Sequence, residues 1–169
     1  MTAIVRTLAV SMLLAGCGAV ALGAAARSDA ARDRKQLVGS YKLVSYINYD
    51  RNGGETPSPL SIGQISYDAA GRMSAQLMRD SRPRFTSTPP SDAERAAAFS
   101  SYVSYFGHYD IDADKKTVTH HVEGSMSPNG IGGNLVRHYE FSPDGKSLFL
   151  SVKDADGRVL GRLRWDRYR

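Results

Sequence analysis

The strongest constraint on this chain is a series of eight short segments, from Tyr41 to Trp165, in which apolar and polar residues alternate and turn residues intervene. A period of two sends successive side chains to opposite faces of a strand, so each segment offers one face to a core and one to water. The segments are Tyr41 to Ile47, Gly63 to Tyr67, Arg72 to Met78, Tyr105 to Asp112, Thr117 to Glu123, Leu135 to Phe141, Ser147 to Val152 and Val159 to Trp165. Between them stand Asp68-Ala69-Ala70-Gly71, Asp112-Ala113-Asp114, Ser142-Pro143-Asp144-Gly145 and Asp154-Ala155-Asp156-Gly157, which carry the residues that tight turns require. Strands joined by tight turns pair as antiparallel neighbours, and an open sheet of eight leaves two edges unpaired. Closure into an up-and-down barrel removes both edges and leaves an interior wide enough for one small ligand. The expected fold is therefore mainly β, an eight-stranded antiparallel barrel.

One helix is expected in it, between the third and fourth strands. Ser91 with Glu94 forms a capping box, and Ala96, Ala97, Ala98, Phe99 and Tyr102 continue at helical spacing, so this helix is expected to cover an end or a face of the sheet. Residues Arg79 to Pro90 hold three prolines among Arg82, Arg84 and Phe85 and read as a long irregular connection, either a basic lid at the barrel mouth or a solvated loop. With 169 residues the chain has room for one core, and 22 basic against 17 acidic residues give a formal charge of +5. The basic residues are scattered, without a basic helix face or interleaved stacking aromatics, which argues against nucleic-acid binding.

The N-terminus reads as an export signal. Met1 to Arg6 carries one positive charge, Thr7 to Ala26 carries none, and Ala24-Ala25-Ala26 offers a small-residue cleavage site. About 20 apolar residues can also span a bilayer, but the glycines and alanines make this run weakly apolar. Within it Leu14-Ala15-Gly16-Cys17 resembles the bacterial lipobox, in which the cysteine receives lipid and becomes the new N-terminus. Cys17 is the only cysteine and has no disulfide partner. Gly18 at the next position resembles outer-membrane sorting, whereas plain cleavage after Ala26 would discard Cys17. The expectation is residues 1–26 as signal peptide, 27–36 as linker and 37–169 as the barrel. The chain is placed in the periplasm or on the outer membrane, touching a membrane only through an N-terminal lipid.

Several stretches carry a resemblance: Leu37-Val38-Gly39-Ser40-Tyr41-Lys42-Leu43-Val44-Ser45, Gly71-Arg72-Met73-Ser74-Ala75-Gln76-Leu77, Arg82-Pro83-Arg84-Phe85, Tyr105-Phe106-Gly107-His108-Tyr109, Thr117 to Ser125, and Val136-Arg137. Together they resemble the lipocalin-like domain family of bacteria and fungi over Leu37 to Arg169. The first is similar to the glycine-x-tryptophan start of lipocalins, with Tyr41 in the tryptophan's place. The resemblance implies a small lipocalin-like barrel with an internal cavity and says little about chemistry, since such barrels host carriers and enzymes alike.

The residues suggest where a ligand would sit. Val118, His120 and Val122 share a face of the fifth strand, and Leu135, Arg137, Tyr139 and Phe141 one of the sixth, which sets a histidine and an arginine among apolar side chains. An inward arginine is costly unless paired. Either Arg137 and His120 bind a carboxylate, enolate or phenolate, with His120 exchanging protons, or Arg137 packs on Tyr41 or Trp165 at the barrel floor while His120 bonds a backbone carbonyl. Ser74 and Gln76, and Tyr105 and Tyr109, are further candidate cavity residues, with Tyr41 and Tyr139 beside them. His121, Glu123 and Thr119 face solvent. Adjacent His120 and His121 point to opposite faces and cannot share an ion, His108 and His138 lie on other strands, and no metal-ligand signature occurs, so neither metal nor cofactor is expected. The leading expectation is an exported, non-catalytic carrier of a small apolar or amphipathic molecule. The alternatives are an isomerase or cyclase using His120 and Arg137, and a structural envelope protein.

Overall fold

The computed structural model describes residues 29–168. The leader, with Cys17 and both processing sites, lies outside the described residues. Nine strands make one antiparallel sheet: β1 (Gly39–Tyr49), β2 (Glu55–Pro57), β3 (Ile62–Tyr67), β4 (Arg72–Met78), β5 (Tyr102–Asp112), β6 (Thr117–Ser125), β7 (Asn134–Phe141), β8 (Ser147–Lys153) and β9 (Val159–Arg167). Each of β3 to β8 pairs with the next strand in sequence, β1 pairs with β3, and β1 also pairs with β9, so eight strands close on themselves. The three-residue β2 hangs on the end of β1 outside that circle, with Ile47 opposite Pro57.

Two helices accompany the barrel, and here the sequence expectation needs correction. The capped helix, α2 (Asp92–Ser100), has the expected capping box, but β2 shifts its place to between β4 and β5. It buries none of its residues, with Phe99 52% exposed, so it covers neither an end nor a face of the sheet. Its packing is instead against the 79–90 loop, where Arg82 Nε donates to Ser101 Oγ at 3.0 Å and the Glu94 carboxylate accepts from the Thr86 backbone N–H. The first helix, α1, is helical over 29–37, where a linker was expected. It closes the barrel floor with Leu37, fully buried, and Asp33, 4% exposed.

The floor is built around α1. Tyr139 Oη and Lys116 Nζ both donate to Asp33 Oδ2, at 2.6 and 2.7 Å. Tyr41 Oη donates to the Leu37 carbonyl at 2.9 Å, and the Arg167 guanidinium lies 4.7 Å from the Tyr41 ring while donating to the Val38 carbonyl. Gly39, at φ +148°, leaves the space that this guanidinium fills. Above the floor the core holds Leu43, Ile65, Met73, Ala75, Leu77, Val118, Leu148, Leu150, Leu163 and Trp165. Burying one such aliphatic side chain stabilises the fold by roughly 1.5–3 kcal/mol.

Candidate functional site

Three elements bring polar groups into this apolar interior. Tyr109 of β5 stands opposite His120 of β6, which stands opposite Leu135 of β7, and Val118 stands opposite Arg137; residues directly opposite share a face, so His120 and Arg137 both turn inward. Tyr105 shares the inward face of β5 with Tyr109 by plain alternation, and where the β5–β6 register shifts beside Phe106 and Gly107 the extra residue is Glu123 of β6. Gly107 is required there, because a methyl group would overlap the His121 carbonyl oxygen.

His120 has no accessible surface. Its Nε2 lies 2.8 Å from Tyr67 Oη and its Nδ1 3.1 Å from Tyr105 Oη. Burial drives its pKa down to about 3, with the positive charge of Arg137 contributing, so the ring is neutral at physiological pH. Burial also raises the pKa values of both tyrosines, and the Arg137 charge opposes that rise. A neutral imidazole has one N–H and one lone pair, so it donates to one tyrosine and accepts from the other. Tyr67, 2% exposed, bonds only to His120 among the described residues. Its hydroxyl proton is satisfied only if it donates to Nε2. The relay therefore runs from Tyr67 O–H to Nε2, and from Nδ1–H to the Tyr105 oxygen. The Tyr105 hydroxyl proton is left over, on a half-buried side chain within reach of the Arg137 guanidinium.

Arg137 is half-buried, one residue beyond the last rung that joins β7 to β8, His138 with Ser151. Its Nη1 donates to the Val136 carbonyl at 3.0 Å, and it has no carboxylate partner among the described residues. Asp33, the one buried acid among them, is held by Lys116 and Tyr139 at the floor. Trp165 Nε1 is a further buried donor with no acceptor among the described residues. The interior thus presents more donors than acceptors. Such a site suits an anionic or strongly accepting group.

The structure distributes the remaining sequence candidates differently from the expectation. Tyr41, Tyr109 and Tyr139 are floor residues, each at most 5% exposed, and Tyr109 Oη donates to the Asp68 carbonyl at 2.8 Å. Ser74 and Gln76 are corrected to the outer wall: Met73, Ala75 and Leu77 are buried, so their neighbours turn outward, and Gln76 accepts from Gln64 on the barrel exterior. The proposed floor contact of Arg137 is made by Arg167, and His120 bonds tyrosine hydroxyls in place of a backbone carbonyl.

Tyr46 and Tyr67 escaped sequence reasoning. A bulge between Leu43 and Ser45 sets Ser45 and Ile47 opposite Arg164 and Arg162 on the outer face, and turns Tyr46 inward opposite Leu163. Tyr46 then lies near enough to Tyr105 to raise its pKa further. Tyr67 alternates inward with Ile65, a signal that was present in the sequence.

No curated protein matches the sequence. The lipocalin-like domain model matches residues 38–168, the whole barrel from the entry of β1 to the end of β9. With that match and the closed antiparallel barrel, the chain belongs to the lipocalin-like domain family.

Proposed function

We propose that the barrel binds, without transforming it, a small amphipathic molecule with an anionic head and an apolar body. The observation that carries this reading is the half-buried Arg137 without a carboxylate partner, standing beside a tyrosine whose hydroxyl proton is free to donate. A carboxylate, enolate or phenolate would accept from both, while its body met apolar side chains such as Val122 and Leu135. Proton shuttling by His120 in an isomerase or cyclase has less support, because its two nitrogens are occupied and the ring is sealed from solvent. The leader and the Leu14 to Cys17 stretch support action outside the cytoplasm on a lipid anchor. Labelling cells with an alkyne fatty acid tests that anchor, and an unlabelled mature chain beginning at Arg27 would refute it.

Native mass spectrometry with aryl and medium-chain carboxylates, each beside its methyl ester, tests the binding site. The acids are expected to be retained at one per chain and the esters at least about tenfold more weakly, the value of one charge-assisted hydrogen bond. Arg137→Gln should abolish the preference. Failure to retain any acid, or equal retention of esters by the wild type, would overturn the reading.

A further inference from the structure

On the outer wall, away from that interior, three metal-ligating side chains converge. His108 of β5 and His121 of β6 are direct cross-strand partners, their rings stacked with centroids 4.4 Å apart and planes at 14°. Asp110, two residues along on the same face of β5, places Oδ2 3.1 Å from His121 Nε2. Each ring is anchored through its other nitrogen: His108 Nδ1 lies 2.8 Å from Glu123 Oε1, and His121 Nδ1 lies 2.7 Å from Asn134 Oδ1. An oxygen acceptor at Nδ1 orients each ring with Nε2 turned to a ligand, the arrangement of metal-binding histidines, and at His121, where Nε2 meets the Asp110 carboxylate, a bound ion would take the place of the proton between them. Arg72 donates to both oxygens of Glu123, at 2.7 and 2.6 Å, which fixes that carboxylate and cancels its charge. Asp110, paired only with the His121 ring, then supplies the negative charge among these side chains.

The geometry assigns to His108 Nε2, His121 Nε2 and the Asp110 carboxylate a surface site for a borderline divalent transition-metal ion, specifically Zn2+. Donor atoms of the three residues lie within 4.8 Å of one another. Tetrahedral zinc with bonds of about 2.0–2.2 Å sets its ligand atoms about 3.3 Å apart. The separation between Asp110 and His121 is already close to this, and Asp110 and His108, with side chains 71% and 50% exposed, are free to close the rest. Two imidazoles and one carboxylate suit zinc better than calcium or magnesium, and they leave a fourth position for water or an external ligand.

Zn2+ titration of the full chain, followed by equilibrium dialysis and by 15N NMR of its four histidines, tests the assignment. One saturable site is expected, with Nε2 of His108 and His121 shifting while His120 and His138 stay put. His121→Ala should weaken binding by more than about a hundredfold and Glu123→Gln by about tenfold or more, the range for loss of an orienting partner. His138→Ala should leave affinity unchanged. Cys17→Ser separates the lone thiol. The assignment is overturned by absence of saturable binding, by binding that survives His121→Ala, or by binding lost in Cys17→Ser. If His121→Ala unfolds, Asp110→Asn carries the same test through an exposed side chain.

Discussion

Tyr67 is sealed from water and has a single hydrogen-bond partner among the described residues, which sets the direction of the relay through His120. The expected tautomer of His120 carries its proton on Nδ1, and 15N NMR at neutral pH would show Nε2 as the unprotonated nitrogen. The two tyrosines then fail differently when truncated. Tyr67→Phe strands a buried imidazole lone pair and should cost about 1–3 kcal/mol of stability in urea unfolding, with carboxylate affinity little changed. Tyr105→Phe, at a half-buried position, should cost less stability and reduce carboxylate affinity. Equal stability losses with unchanged affinity would reduce Tyr105 to a structural partner of His120.

At the level of elements, the two helices contrast. α2 has a complete capping box yet buries nothing, whereas α1 buries Asp33 and Leu37 into the barrel floor. Ser91→Ala should therefore fray α2, seen as faster amide exchange over 92–100, and leave the barrel's melting temperature nearly unmoved. Burial raises the Asp33 carboxyl, but Lys116 and Tyr139 outweigh it and hold the pKa below the ordinary value. Asp33→Asn should cost about 1–3 kcal/mol at pH 7 across the whole barrel. The deficit should shrink as the pH falls through the carboxylate range, where the wild type loses the same charge. These elements also mark what the sequence made legible. The strands and their turns stood out because alternation and Asp-Gly turn chemistry follow directly from the backbone. The inward faces of β6 and β7 were likewise correct. Tyr46 was missed because one extra residue in β1 reverses the alternation, and no local pattern in Leu43-Val44-Ser45-Tyr46 announces it. The helix at 29–37 was missed because its apolar stripe is little more than Leu37, and its buried polar residue, Asp33, finds its partners 83 and 106 residues away.

For the whole molecule, closure makes local protonation a global event. β1 meets β9 across nearly the full length of the domain, so the barrel has no free edge from which to open piecemeal, and it is expected to unfold as one cooperative unit. Between its folded pKa of about 3 and the ordinary value of 6.5, His120 binds a proton in the unfolded chain and none in the folded one. Stability therefore rises with pH across that window, with a slope of up to about 1.4 kcal/mol per pH unit from this residue alone. Burial lowers the pKa of His138 too, which adds a contribution of the same sign. The depressed carboxylates, Asp33 and Glu123 among them, act in the same direction at lower pH, because their ordinary values are 3.8 for the aspartate and 4.5 for the glutamate. Urea midpoints measured from pH 7 down to pH 5.5, above the range where the depressed glutamates Glu94 and Glu123 contribute, thus isolate the histidines. The wild type should lose stability steadily over this range, and His120→Gln, which cannot take up the proton in either state, should flatten the slope to the remainder left by His138. Comparing slopes makes the test independent of what the substitution costs at neutral pH. An unchanged slope in His120→Gln would mean that His120 is protonated in the folded barrel near neutrality, and the neutral relay from Tyr67 to Tyr105 would fall with it.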